Sequence, residues 1–357
     1  MSFPHTTFWL VCFILMASSA WGNPYGEILS KLIEPNEPGV AIIVTKHGDP
    51  VYTGARGSAN LEQSVPASVD SIFRIGSITK QFTAAAILLL EEQGKLATSD
   101  PLNRFIPDYP RGDEIRLDHL LTHTSGVFNL TKLPDYDSTS KQELDDASDR
   151  IELFREIPLE FEPGEKFKYS NSGYILLGTV VERASGKSYE AFIKEKITDR
   201  LSMRKTTLGN HYRVIPRRAR GYEIYEDKFI NARYMSMSLP HASGALLSTV
   251  GDLAKWNDAL FGGEILADSS LKKMLTSGRL NDGATTNYGY GLRIGDQRGE
   301  RIFFHAGGIF GYTSFASYHS ESGVFIAILS NLGSDKRLTE LWERIVSQAK
   351  LDSLIES

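Results

Sequence analysis

Ser77-Ile78-Thr79-Lys80 places a hydroxyl and an amine three residues apart. On a helix such residues share a face, with Cβ atoms about 5–6 Å apart, so the amine can meet the hydroxyl directly. At a first turn the helix N-terminus adds positive potential. For Lys80 to take the serine proton near neutral pH, its pKa has to fall from ~10.4 towards 7, a bias of roughly 4–5 kcal/mol that burial can provide. The chemistry is then nucleophilic attack by Ser77 Oγ on an acyl carbonyl. The same spacing recurs at Ser138/Lys141, Ser202/Lys205, Ser269/Lys272, Ser270/Lys273 and Ser347/Lys350. There an N-capping serine and a surface lysine explain it. Only Ser77 opens a long apolar pattern, Ala84-Ala85-Ala86-Ile87-Leu88-Leu89-Leu90, which Gly94 stops.

Two later motifs join it. Tyr169-Ser170-Asn171 is the only Tyr-x-Asn in the chain, and His305-Ala306-Gly307 the only His-x-Gly. In this order the set resembles that of the penicillin-recognising serine hydrolases, nearest to class C β-lactamases, serine D-Ala-D-Ala carboxypeptidases and their esterase and peptidase relatives. Phe73-Arg74-Ile75-Gly76, Leu120-Leu121-Thr122-His123-Thr124-Ser125-Gly126 and Tyr288-Gly289-Tyr290-Gly291-Leu292 extend the likeness from about residue 39 to 347.

The resemblance implies an acyl-enzyme on Ser77, with Lys80 as proton acceptor, alone or shared with Tyr169. Tyr169 would deliver the proton to the leaving group, and Asn171 would bond Lys80 and the substrate amide. His305, Gly307 and Gly308 would form a substrate-binding strand, the N–H groups of Ser77 and Gly308 making the oxyanion hole. The substrate is a small molecule or peptide, cleaved at an amide, peptide or ester bond, and no cofactor is called for. Where class C enzymes carry Lys-Thr-Gly, this chain has an imidazole, about a quarter charged at pH 7 and gaining its proton towards pH 6, and a methyl group. That favours neutral substrates over carboxylate-bearing β-lactams, with Arg293 and Arg301 as alternative sources of charge. A non-catalytic penicillin-binding or sensor protein is the competing function.

The elements that must position these groups are strands at both chain ends and helices between. Residues 40–46 and 50–56 read as a hairpin across His47-Gly48-Asp49. Helices are expected near 145–157, 172–185 and 249–261, with loops over 127–140 and at Pro163-Gly164. Strands return over 288–294, 301–305, 312–318 and 324–329, and a last amphipathic helix runs from about 336 to 349. The fold class is α+β: one antiparallel sheet built from both chain ends, flanked by helices, with an inserted, mostly helical lobe. Its expected bounds are a sheet lobe of about 23–75 and 245–357 and a helical lobe of about 76–244, in one domain spanning 23–357.

The chain of 357 residues has a net charge of -5 and scattered basic residues, apart from Arg217-Arg218-Ala219-Arg220, which reads as a solvated face. Nucleic-acid binding is not indicated. Phe8 to Ala17 form an apolar run with small residues after it, too short to span a bilayer comfortably. It reads as a signal peptide over 1–22, cut after Ala20 or Gly22, giving a secreted or periplasmic protein without stable membrane insertion. An uncleaved anchor is the alternative. Cys12, the only cysteine, lies inside that run, so the mature chain would hold no disulfide and no thiol ligand. His119 and His123 have the spacing of two zinc ligands, but no Glu follows His119, and structural roles are expected.

Overall fold

Val40–Lys46 buries six consecutive residues and Val324–Ser330 all seven, so both strands must be covered on two faces. They pair antiparallel, Val40 with Ser330 through Lys46 with Val324, as two interior strands of a six-stranded sheet. The strand order is Arg293–Gln297, Glu300–Ile309, Tyr312–His319, Val324–Ser330, Val40–Lys46 and Asp49–Arg56. Every pairing in it is antiparallel. The computed structural model describes residues 23–355 except 145 and 298. The apolar run assigned to a signal peptide lies outside the described residues.

Alternate side chains of the central strands reach opposite faces. Val40, Ile42 and Val44 pack with Leu338, Leu341 and Ile345 of the Arg337–Leu351 helix and with Tyr25 and Leu29 of the Pro24–Leu32 helix. Ala41 and Ile43 face the larger core, which holds the Val250–Phe261 helix and the inserted lobe. The expected sheet from both chain ends, with helices inserted between, is the fold found.

The Thr79–Glu92 helix buries every residue from Thr79 to Leu90 except Gln81, as expected of a helix apolar on nearly all sides. A 3₁₀ turn, Gly76–Ile78, precedes it, and Gly94 follows with φ 67°. Asn171–Ser185 ends at Gly186 with φ 72°, and Val250–Phe261 is capped by Thr249 Oγ1, which accepts from Asp252 N.

Several expectations are corrected. The helix placed at 145–157 is confined to Ala147–Glu152, and turns carry the chain on to Pro158. The 127–140 loop contains a 3₁₀ turn, Leu130–Lys132, and a single helical turn, Tyr136–Thr139. Residues 288–292 form a turn, and the edge strand begins only at Arg293. There Gly291 has φ 76°, and a Cβ on it would stand 2.5 Å from Lys80 O. Short strands that sequence reading did not anticipate lie within the inserted lobe and at its two boundaries with the sheet lobe. Phe73–Arg74 and Thr207–Leu208 flank Leu246–Ser248 in a small sheet, and Tyr222–Tyr225 pairs with Lys228–Asn231.

Candidate active site

Phe73–Arg74 delivers the chain into the 3₁₀ turn that carries Ser77, and the three-residue repeat of that turn brings Lys80, in the first turn of the following helix, back beneath it. Lys80 is fully buried. Its Nζ lies 3.1 Å from Ser77 Oγ, 2.8 Å from Asn171 Oδ1 and 2.7 Å from the carbonyl oxygen of Ser243. Among the described residues no carboxylate pairs with it, and burial pushes its pKa well below the ordinary lysine value. In the neutral amine, two N–H groups satisfy the Asn171 and Ser243 oxygens, which can only accept. The lone pair is left for the Ser77 hydroxyl to donate to. The His241–Gly244 turn that presents Ser243 is tied to the same helix: Thr83 Oγ1 donates to Ala242 O at 2.6 Å, and Leu246 N donates to Thr79 Oγ1 at 3.1 Å.

Tyr169 and Asn171 enter from the start of the Asn171–Ser185 helix. The Tyr169 ring lies under Lys80 Nζ, 4.8 Å from the centroid, and Tyr174 flanks the amine at 5.3 Å. Burial raises the Tyr169 phenol, with Ser77 and Arg293 pulling the other way. Its Oη has no partner at full hydrogen-bond geometry among the described residues. One residue clamps both sides of Tyr169: Lys168 N donates to His123 O at 2.9 Å, and Ser170 N to His123 Nδ1 at 3.2 Å. The His123 ring packs on Tyr169 with centroids 4.2 Å apart, from a backbone at φ 58°. Because Nδ1 accepts, the neutral ring carries its proton on Nε2, and burial, Lys80, His305 and Arg293 all oppose a second one. His119 has a separate task, Nδ1 accepting from Arg116 N at 3.3 Å.

The Glu300–Ile309 strand closes the far side. A Cβ on Gly307 would stand 2.2 Å from Ile75 O, and one on Gly76 would stand 2.9 Å from Gly308 N. Glycine at these positions lets the strand backbone lie against the serine turn. His305 is 3% exposed, its Nδ1 2.6 Å from Ala306 O and its Nε2 3.0 Å from Tyr288 Oη. A carbonyl only accepts, so Nδ1 carries the proton and Nε2 takes the tyrosine hydrogen bond. Burial and Lys80 push the His305 pKa down to about 3. The expected partial charge at pH 7 is therefore corrected to a neutral ring held inside the protein. Ala306 lines a groove with Phe304, Phe315 and Trp342 on the face of the C-terminal helix.

Residues 27–350 match the beta-lactamase family. The chain is 31% identical over 332 residues to penicillin-binding protein 4* of Bacillus subtilis, covering 87% of this chain and 71% of that one. The chain belongs to the beta-lactamase family.

Solved structures agree. The D-amino acid amidase of Ochrobactrum anthropi SV3, complexed with L-phenylalanine amide, superposes with a TM-score of 0.79 at 26% identity, over 93% of this chain and all (100%) of that one. A penicillin-binding protein from Bacillus halodurans gives 0.80 at 27% identity, over 92% and 99%. This beta-lactamase-family chain is a serine hydrolase, and the non-catalytic alternative is not favoured.

Ser77, Asn171 and Gly308 open onto a cavity of about 970 Å³, with Leu130, Tyr136, Leu239, Ile309 and Phe310 on its walls. Lys80, Tyr169, His305 and Gly307 do not line it. Sequence reading missed two groups at this beta-lactamase-family site. Asn129 Oδ1 accepts from Asn171 N at 3.1 Å and from Asn171 Nδ2 at 3.4 Å, which turns Asn171 Oδ1 towards Lys80. Ser243 acts through its carbonyl, which leaves no mark in the side-chain sequence.

Proposed function

We propose that Ser77 attacks the carbonyl of an uncharged ester or amide and forms an acyl-enzyme, with Lys80 as the base. The observation that carries this reading is the buried Lys80 amine, held by two fixed acceptors so that its third position faces Ser77 Oγ at 3.1 Å. Burial moves the two candidate bases apart: the lysine is pushed towards its neutral form, and the tyrosine is kept protonated. Lys80 therefore takes the serine proton, and Tyr169 O–H is the donor to the departing group. The Ser77 and Gly308 N–H groups are the proposed oxyanion donors, supported by the close approach of the two backbones.

The walls support an uncharged acyl group. Of the guanidiniums on the cavity lining, Arg233 is paired with Asp137 and Glu223, and Arg337 with Asp335 and Glu37. The remaining cation, Lys336, is solvent-exposed. Neither Arg293 nor Arg301 lines the cavity. Among the described residues no helix is long and apolar enough to cross a membrane. The run from Phe8 to Ala17 supports export, testable by the mass of the mature chain.

Exposure to a neutral p-nitrophenyl ester, followed by intact and peptide mass spectrometry, tests the assignment. Acyl adduct is expected on Ser77, and Ser77→Ala should lose it while turnover falls by about 10³-fold or more. Ser138→Ala and Ser269→Ala should behave as wild type. Full activity in Ser77→Ala would overturn the proposal.

A further inference from the structure

The arginine side chains of Arg217-Arg218-Ala219-Arg220 are exposed, as a solvated face requires, but the backbone beneath them is pinned. Ile72 N donates to Arg217 O at 2.9 Å, Ala219 N to Ile72 O at 2.9 Å, and Arg220 N to Ala59 O at 2.8 Å. The segment is thereby fixed beside the Phe73–Arg74 strand. Arg74, Arg218, Arg220 and Arg233 then line a second cavity, of about 400 Å³, whose walls carry no carboxylate.

The four guanidiniums are not equivalent. Arg233 pairs with Asp137 at 2.7 Å, and Arg220 reaches Glu62 at 3.3 Å. Among the described residues neither Arg74 nor Arg218 has a carboxylate within ion-pair distance. Arg74 has only a long bond to Met235 O, at 3.5 Å, and the Tyr312 ring, 5.5 Å from its carbon to the centroid. Burial is the largest influence lowering its pKa, and the Arg218 charge adds to it. Arginine does not shed its proton in proteins, so two neighbouring positive charges, the half-buried Arg74 and the exposed Arg218, stand without a counter-charge at the cavity. A phosphate monoester carries about -1.5 to -2 at neutral pH and accepts guanidinium forks in pairs, which matches two uncompensated arginines in sign and size.

We propose that this cavity is an anion subsite for a phosphate-type dianion, held by Arg74 and Arg218. The site itself does not rest on the catalytic reading. Arg233, Met235 and Phe310 line this cavity and the Ser77 cavity alike. The phosphate can therefore be free or can be the remote end of an ester that reaches Ser77, and only the second source rests on the proposed function.

The test is titration of the full-length protein with inorganic phosphate at constant ionic strength, by calorimetry. Saturable one-to-one binding is expected, weakened roughly tenfold or more in Arg218→Gln and in Arg74→Met. Arg217→Gln should bind as wild type, since Arg217 pairs with Asp70 at 2.5 Å and does not line the cavity. Arg218 is exposed, so its variant remains informative if Arg74→Met does not fold. Two esters separate the sources, one neutral and one bearing a remote phosphate. A KM raised by Arg218→Gln for the phosphate ester alone assigns the site to substrate. Equal KM values alongside lost phosphate binding assign it to the free ion. No saturable phosphate binding, an equal loss in Arg217→Gln, or binding of acetate in preference to phosphate would overturn the proposal.

Discussion

Arg74 and Lys80 stand three residues to either side of Ser77, and both are basic side chains without a carboxylate partner among the described residues. Their surroundings differ in one respect. Lys80 is enclosed by groups that a neutral amine can satisfy, whereas Arg74 faces an open cavity beside a second unpaired arginine. A lysine relieves its burial by losing a proton, which makes it a base. An arginine cannot, so its field stays available to an outside anion. On the proposed reading, the same local shortage of negative charge gives a proton acceptor on one side of Ser77 and an anion site on the other.

Making Lys80 behave like Arg74 breaks the comparison most severely. Lys80→Arg keeps a charge that cannot be shed, and kcat/KM for a neutral ester should fall by about 10³-fold or more. Lys80→Met should be as inactive yet melt higher than wild type at neutral pH, because it removes a desolvated amine. The sign follows from the depressed folded-state pKa. Between that value and the unfolded ~10.4 the unfolded chain binds the extra proton, so wild-type stability rises with pH across the window. A Met variant that keeps the wild-type pH slope would show that Lys80 is held as a cation.

Next in size is the coupling of Lys80 to Tyr169. Tyr169→Phe should lower kcat strongly, and Lys80→Ala/Tyr169→Phe should be little worse than the poorer single variant. Multiplied losses would separate the two residues. A smaller effect is expected at His123, which positions Tyr169 through its own carbonyl and Nδ1. His123→Phe keeps an aromatic ring and the carbonyl but loses the Nδ1 acceptor, and kcat should drop about tenfold with KM little changed. His123→Asn offers an oxygen to Ser170 N and tolerates the positive φ, so it should recover part of that loss. The smallest change belongs to His305. With a pKa pushed down to about 3, it stays neutral between pH 7 and 6, and the nitrocefin-to-ester ratio of kcat/KM should not move across that interval. A ratio that climbs as the pH falls would restore the charged-histidine reading.

The parts of the site that act through side chains in ordered motifs were legible before the fold was known. Ser77, Lys80, Tyr169 and Asn171 meet as the motif order implied. What escaped sequence reading acts through backbone or across long separations. The Ser243 carbonyl is chemically the same for any residue at that position, and Asn129 lies 42 positions from the asparagine it orients. His123 sat in a quoted motif, but its service to Tyr169 depends on a backbone at φ 58°, which spacing does not report. Tyr288 to Leu292 looked like strand because aromatic residues alternate with glycine, and the turn is imposed by close approach to Lys80 O. The hairpin at 222–231 left little signal because most of its side chains face solvent.

The pairing of Val44 with Ile326 has a consequence for synthesis. A ribosome finishes the first strand, the serine turn and the inserted lobe long before the strand that must cover Val40–Lys46 exists. The Gly308 backbone that faces Ser77 is made equally late. Until then the Val40–Lys46 strand has only its hairpin partner, and the cleft closes only after the strands from Glu300 to Ser330 have emerged. Contacts of such sequence separation form slowly. Catalytic competence thus requires the strand that carries Gly308 as much as the turn that carries Ser77.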